Sequence, residues 1–147
     1  MAIKPIQIVP DPVLRKIAEP VEIITDETKQ MLDDMAQTMF DAPGIGLAGP
    51  QIGALKRLIV MDCSRDDEAD ELWQMINPEI THFSEETALL EEGCLSIPGH
   101  NAEVTRPAWV ELRFLDIKGE AQQIKAEGLL AACVQHEIDH LNGVLFI

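Results

Sequence analysis

Two segments of the chain repeat apolar residues at every third or fourth position, which is the spacing of an amphipathic helix. The first pattern predicts a helix over 26–41, with Thr25 or Asp26 as its N-cap residue. The second predicts a helix over 129–141, and Gly143 follows it where a C-terminal glycine is common. The chain is therefore expected to contain two main helices.

Alternating apolar and polar residues, or short apolar runs, fill much of the remaining chain and indicate β-strands. The predicted strands cover 55–61, 72–82, 86–91, 102–106, 108–116 and 121–127. The acidic stretch at 66–71 is expected to be a solvated loop between two of them. Several short strands with two helices predict an α+β fold with largely antiparallel sheet, and 147 residues suit one domain over 1–147.

The charge balance narrows the classes of partner. The chain has 26 Asp and Glu against 11 Lys and Arg, a formal net charge of −15. This balance argues against a broad basic face for nucleic acids or anionic membranes, and no apolar run reaches the roughly 20 residues of a membrane-spanning helix. Three cysteines, an odd and sparse number, and the lack of a secretory leader predict a reduced, cytoplasmic protein.

The second predicted helix carries the motif H-E-x-x-H, from His136 to His140. At about 100° per residue, the two histidines lie about 40° apart on the helix, so both imidazoles could bind one metal ion. Glu137 flanks them, within reach of a water molecule at that ion. The alternative is a pair of surface histidines, but the helix is otherwise apolar, and this indicates burial.

A catalytic metal site usually has three protein ligands and one open position, so a third ligand is expected upstream. The candidates are a carboxylate or one of Cys63, Cys94, Cys133, His82 and His100. Cys94 is favoured because it follows Gly93, and glycine lets the backbone approach a metal closely. The residues alone leave the other candidates open.

The glycine-rich segment at 43–53 contains a literal G-x-G-x-x-G. Dinucleotide binding is disfavoured, because a predicted helix precedes the segment and no βαβ unit is available. Two interpretations remain. One is a tight loop, and the other is a loop that lines a substrate cleft and places the side-chain amide of Gln51 near a developing oxyanion.

Three motifs of the chain, G-I-G-L-A-x-x-Q, E-G-C-L-S and H-E-x-D-H, resemble in order and separation the signature motifs of the peptide deformylases. The resemblance covers nearly the whole chain. It implies an α+β fold with antiparallel sheets packed around a central metal-binding helix. It also implies hydrolysis of the formyl group from the N-terminal formylmethionine of nascent peptides, with release of formate.

The resemblance also implies a role for particular residues. The metal ligands would be Cys94, His136 and His140. They would hold one divalent ion, Fe(II) in cells, with Zn, Ni or Co as alternatives. Glu137 would take a proton from water and deliver it to the leaving amine. The Gln51 side-chain amide and the Leu95 backbone N–H would hold the oxyanion.

The helix periodicity places Leu129, Ala132 and Cys133 on the metal-facing side of the second helix. With Ile45 and Leu90, they could form an apolar slot for a methionine side chain, although ordinary core contacts would explain each residue singly. The further predicted substrate-binding residues are Gly46, Glu92 and Gly93. Arg106 and Asp139 are expected to pair with Glu92 and support the site.

Many bacterial peptide deformylases continue into a C-terminal helix implicated in ribosome docking, and the resemblance therefore implies that 1–147 is a catalytic domain without that extension. A net charge of −15 offers no attraction to RNA, which leaves ribosome docking weakly supported. Two other functions are conceivable, a metallopeptidase and a non-enzymatic domain with a structural metal. The first does not explain E-G-C-L-S or Gln51, and the second does not explain Glu137.

Overall fold

Local sequence signals are sufficient to predict the bounds of the first helix, α1. The computed structural model describes residues 3–64 and 71–145. In it, α1 spans Asp26–Asp41, the predicted range. The side chain of Thr25 accepts a hydrogen bond from the Thr28 N–H, and the Thr28 side chain accepts one from the Thr25 N–H. This reciprocal capping satisfies donors that the first turn leaves unpaired.

The described residues form seven strands in two antiparallel sheets. They are β1 (Gly46–Ala48), β2 (Leu58–Asp62), β3 (Leu72–Phe83), β4 (Thr87–Cys94), β5 (Ile97–Pro107), β6 (Trp109–Leu115) and β7 (Ala121–Glu127). The larger sheet has the order β1-β2-β3-β6-β7, and β4 and β5 form a separate hairpin. The expectation of an α+β fold with antiparallel sheets is confirmed.

Two differences from the predicted elements have physical reasons. A short strand, β1, lies within the glycine-rich segment that was expected to be a loop, because it pairs with β2. The β4–β5 hairpin is longer than the predicted strands at 86–91 and 102–106, since its ladder continues to the turn. Most of the acidic stretch predicted as a loop, 66–70, lies outside the described residues.

The second helix, α2, spans Gly128–Leu141 and follows β7 directly. The strand ends at Glu127, as predicted, and Gly128 is already the first residue of the helix, one residue before the predicted start, with a φ of 58°. That left-handed conformation turns the chain sharply and suits glycine. None of the helices within the described ranges has the length and apolarity needed to cross a membrane.

The two helices lie on opposite faces of the five-stranded sheet. Alternate residues of β2 point to opposite faces, and Leu58 and Val60 pack with α1 while Ile59 and Met61 pack with α2. All five residues of β2 are buried, which explains why the four residues before Asp62 form a continuous apolar run rather than an alternating pattern. The site lies on the α2 side, where side chains of the β4–β5 hairpin contact the helix.

Candidate active site

Three donor atoms converge between α2 and the end of β4. The Nε2 atoms of His136 and His140 lie 3.2 Å apart, and the Sγ of Cys94 lies 3.2 Å from the Nε2 of His140. The ligand atoms of all three residues lie within 4.8 Å of one another. The strand register shifts between Gly93 and Cys94, which directs the thiol towards the helix.

A thiolate and two imidazoles are a donor set that suits Zn or Fe(II), with a position left for water or substrate. Within the described residues, this is the one group of three His, Cys, Asp or Glu side chains that converge in this way. None of the other described candidates for a third ligand joins this group. His82 stacks on Trp109, Cys63 packs against the core, and Cys133 Sγ lies 3.7 Å from the Ile45 carbonyl.

The electrostatics of the histidines also suit a bound cation. Burial alone would lower the pKa of His136, but hydrogen bonds to Cys94 and Glu92 outweigh it and raise the pKa to about 10. Burial lowers the pKa of His140 to about 3, which keeps that imidazole neutral and available as a ligand. The surroundings of His136 therefore favour positive charge.

Glu137 is buried beside the donor atoms. Its Oε1 and the Nδ1 of His140 have no hydrogen-bond partner among the described residues. Burial raises the pKa of the Glu137 carboxyl to about 7. A side chain on Gly46 would collide with Glu137 Oε2 and would lie 2.8 Å from Cys133 Sγ, so glycine at this position of β1 leaves the space that the carboxylate occupies.

A network of ion pairs contacts His136 at Nδ1, the ring nitrogen that does not face the other donor atoms. Its Nδ1 lies 3.1 Å from Glu92 Oε1, and Arg106 donates two hydrogen bonds to Glu92, at 2.7 and 2.9 Å. Arg106 also donates to Asp139 at 2.8 Å. Burial would raise the pKa of Glu92, but hydrogen bonds from His136 and Arg106 outweigh it and lower the pKa to about 2. These contacts hold the imidazole ring in one orientation.

Gln51 approaches the site from the short 3₁₀ helix Gly49–Ile52 that follows β1. Its Nε2 lies 3.6 Å from Cys94 Sγ and 3.1 Å from the hydroxyl of Ser96. Leu95, which follows Cys94, lines the same cavity as Gln51 and Cys94. Sequence reasoning missed Ser96, although this residue is part of E-G-C-L-S, because nothing local indicates that its hydroxyl meets Gln51.

Two cavities meet at Glu137 and His136. The smaller, of about 80 Å³, is lined by seven of the eight predicted substrate-binding residues: Ile45, Leu90, Glu92, Gly93, Leu129, Ala132 and Cys133. The larger, of about 650 Å³, includes Gly46, the eighth, and runs past the N-terminal segment at Ile6 and Ile8. Sequence reasoning missed this segment, because it has no periodic pattern.

A converging thiolate and two imidazoles beside a buried carboxylate are typical of metal-dependent hydrolases. Comparison with known proteins narrows this class. The model of the polypeptide deformylase family matches residues 3–147. The chain is 54% identical over 147 residues to the peptide deformylase of Rhizobium meliloti (strain 1021), covering 100% of this chain and 84% of that one. It is 53% identical to that of Phenylobacterium zucineum (strain HLK1), covering 100% and 87%.

Solved structures similar to this chain are also peptide deformylases. The chain resembles the peptide deformylase of Thermotoga maritima with a TM-score of 0.93 and 39% identity, covering 99% of this chain and 95% of that one. It resembles the Ehrlichia chaffeensis peptide deformylase in complex with actinonin with a TM-score of 0.95 and 41% identity, covering 99% and 87%. The chain belongs to the peptide deformylase family. Its activity is the metal-dependent removal of the formyl group from N-formylmethionine peptides, as the motifs implied.

Proposed function

We propose that Cys94, His136 and His140 hold one divalent metal ion and that Glu137 moves the proton during hydrolysis of the formyl amide. One observation carries this assignment: three donor atoms converge within 4.8 Å beside a buried Glu137. A metal ion held there would polarise the formyl oxygen and lower the pKa of water. The network of Glu92, Arg106 and Asp139 would keep His136 aligned as a ligand.

Glu137 would accept a proton from the attacking water at Oε1, which has no hydrogen-bond partner among the described residues. It would then deliver that proton to the amine nitrogen of the leaving peptide. The space beside Gly46 supports this assignment, because it lets the carboxylate lie between β1 and the donor atoms. The products would be formate and a peptide with a free N-terminal amine.

The Gln51 side-chain amide and the Leu95 backbone N–H would donate hydrogen bonds to the oxyanion that develops on the formyl oxygen. The position of Gln51 Nε2, 3.6 Å from Cys94 Sγ, supports its part in this. Preorganised donors contribute most when water is excluded, and Gln51 is 1% exposed.

The cavity of about 80 Å³ would take the methionine side chain of the substrate, with Leu129, Ala132 and Cys133 as one wall and Ile45 and Leu90 as another. The peptide would continue along the larger cleft, where the backbone of Gly46 and Gly93 would bind it. An unbranched, flexible side chain suits a narrow cavity of this kind better than a β-branched one.

We assign Fe(II) as the ion in cells, with Zn, Ni or Co as alternatives that the same donor set would accept. Elemental analysis of protein prepared without air decides between them. Protein that contains iron should lose activity in air through oxidation of the ion or of Cys94. Full activity of the iron protein after prolonged aeration would count against iron.

The proposed setting is the cytoplasm, on nascent peptides that carry formylmethionine. Ribosome docking stays a prediction, and the net charge of −15 provides no attraction to RNA that would support it. Co-sedimentation with ribosomes at low and physiological salt would test it, since binding driven by charge weakens as salt rises.

The decisive measurement is formate release from formyl-Met-Ala-Ser, with Glu137→Ala as the control. We expect release by the metal-loaded protein and only background release by the variant. No formate from protein with its metal bound would overturn the assignment. Cleavage of internal bonds in unformylated peptides would favour a metallopeptidase instead.

A further inference from the structure

The orientation of the Gln51 carboxamide is determined by the backbone beside it. Gln51 Oε1 accepts a hydrogen bond of 2.9 Å from the N–H of Ala48. A backbone N–H can only donate, so the carboxamide atom that faces Ala48 must be the oxygen. The NH₂ group is therefore on the side of Cys94.

Ser96 occupies the turn between β4 and β5 and is fully buried. Its Oγ accepts a hydrogen bond of 3.1 Å from Gln51 Nε2. The same nitrogen lies 3.6 Å from Cys94 Sγ. An NH₂ group has two hydrogens. Since Ser96 takes one, the other is directed to Cys94 Sγ, on the side of the donor atoms where the formyl oxygen would lie.

The N-terminal segment ties Gln51 and Ser96 together through their backbones. The N–H of Gln7 donates to the Gln51 carbonyl at 2.6 Å, and the N–H of Val9 donates to the Ser96 carbonyl at 2.9 Å. Two residues of one short segment thus link the 3₁₀ helix to the hairpin turn. The hydrogen bond between the side chains is built into the fold and is not an incidental surface contact.

We propose that Ser96 is a positioning residue for deformylation, which holds the Gln51 carboxamide so that its remaining N–H faces the developing oxyanion. The inference rests on the proposed role of Gln51 as an oxyanion donor. The terminal torsion of a glutamine side chain has a broad energy well, so the bond to Ala48 alone leaves the amide plane free to rock. A donor that is already aligned needs no reorganisation during the reaction.

The first test compares Ser96→Ala with Ser84→Ala. Ser84 is also buried, and its hydroxyl donates to the Glu86 carbonyl and accepts from the Trp109 N–H, away from the site. In the metal-loaded protein, Ser96→Ala should lower kcat for formyl-Met-Ala-Ser by about tenfold with KM nearly unchanged. Ser84→Ala should lower the melting temperature and leave kcat unchanged. Equal kcat in the two variants would overturn the proposal.

A double-mutant cycle separates positioning from independent action. Gln51→Ala should lower kcat by about 10²–10³, as expected for loss of an oxyanion donor. Adding Ser96→Ala to Gln51→Ala should cause no further loss, because Ser96 then has nothing to position. Full additivity of the two losses would show that Ser96 acts by another route, and it would overturn the proposal.

A spectroscopic readout tests the hydrogen bond without catalysis. In the zinc-loaded protein labelled with ¹⁵N, the side-chain amide resonances of Gln51 are identified by their absence in Gln51→Ala. Ser96→Ala should shift these resonances and bring the two hydrogens closer to equivalence. Unchanged resonances would contradict the proposal, even if kcat fell. If the unmodified protein released no formate, the proposed function would fail, and these resonances would still show whether Ser96 orients Gln51.

Discussion

Helices α1 and α2 pack on opposite faces of one sheet, and both bury an acidic side chain, but they differ in how that acid is partnered. On α1, Asp34 Oδ1 accepts a hydrogen bond of 2.8 Å from Gln30, and Lys4 Nζ lies 3.9 Å from Oδ2. On α2, Glu137 Oε1 and His140 Nδ1 have no hydrogen-bond partner among the described residues.

The difference distinguishes a buried polar group that stabilises the fold from buried polar groups that take part in the reaction. A buried polar group without a partner costs about 1–3 kcal/mol, so folding alone favours the arrangement on α1. The arrangement on α2 is reasonable if a metal ion, water and substrate complete the contacts during the reaction. Substitutions on α1 should therefore change stability, and those at the polar groups of α2 should change activity.

Removal of the metal ion is the strongest test of this difference. A chelator should reduce deformylase activity to background, because the converging donor atoms of Cys94, His136 and His140 then have no common partner. Amide hydrogen exchange should become faster at the C-terminal end of α2 when the metal is removed, and the exchange rate in α1 should stay unchanged. Adding the divalent ion back should restore both. Equal acceleration in the two helices would show that the metal supports the whole fold.

Substituting each buried acid by its amide gives the next largest effect. Glu137→Gln should lower kcat by about 10³, because the amide cannot accept the proton from water. Its metal content should stay unchanged. The matched change Asp34→Asn should leave kcat intact and lower the free energy of unfolding by about 1 kcal/mol, since the partners of Asp34 lose a charged acceptor. Loss of activity in Asp34→Asn with normal stability would remove the distinction between the helices.

The same contrast explains how much of the fold could be predicted. The bounds of α1 were predicted correctly, because its cap and its apolar spacing are local signals. The β1 strand was missed, because it exists only through pairing with β2, in which Gly46 faces Met61. No periodic pattern in three residues indicates such a partner. The start of α2 was displaced by one residue, because Gly128, in a left-handed conformation, is itself the first residue of the helix.

The site was partly predictable for a similar reason. One helix turn brings His136 and His140 together, so spacing alone predicted that pair. Cys94 comes from a distant hairpin, and local reasoning could only favour it among several thiols and imidazoles. Ser96 was missed, since its partner Gln51 is 45 residues away in the chain. Contacts between residues so far apart in the chain depend on the tertiary fold. A single motif does not indicate them, and only the three motifs taken together do.

Truncating one buried leucine in each helix compares their packing. Leu32 on α1 and Leu141 on α2 are both 0% exposed. Each change to alanine should lower the free energy of unfolding by about 2–5 kcal/mol, from lost burial and from the cavity left behind. Only Leu141→Ala should also weaken metal retention, because Leu141 follows His140. Denaturant unfolding and metal release to a competing chelator measure the two effects. Faster metal release from Leu32→Ala would contradict the comparison.

The helix N-termini give the smallest expected effect. Thr25→Ala should cost about 0.5–2 kcal/mol, because the N–H of Thr28 loses its capping oxygen. Glu127 precedes α2, and its side chain makes no capping bond within the described residues. It pairs with Lys125 at 3.3 Å, but both side chains are exposed. Such pairs contribute little, so Glu127→Ala should change the free energy of unfolding by less than about 0.5 kcal/mol.

A larger loss in Glu127→Ala than in Thr25→Ala would mean that α2 depends on its first turn more than on burial. The near-complete burial of α2 from Ala131 to Leu141 argues for the opposite, because packing against the sheet can hold a helix whose end is uncapped.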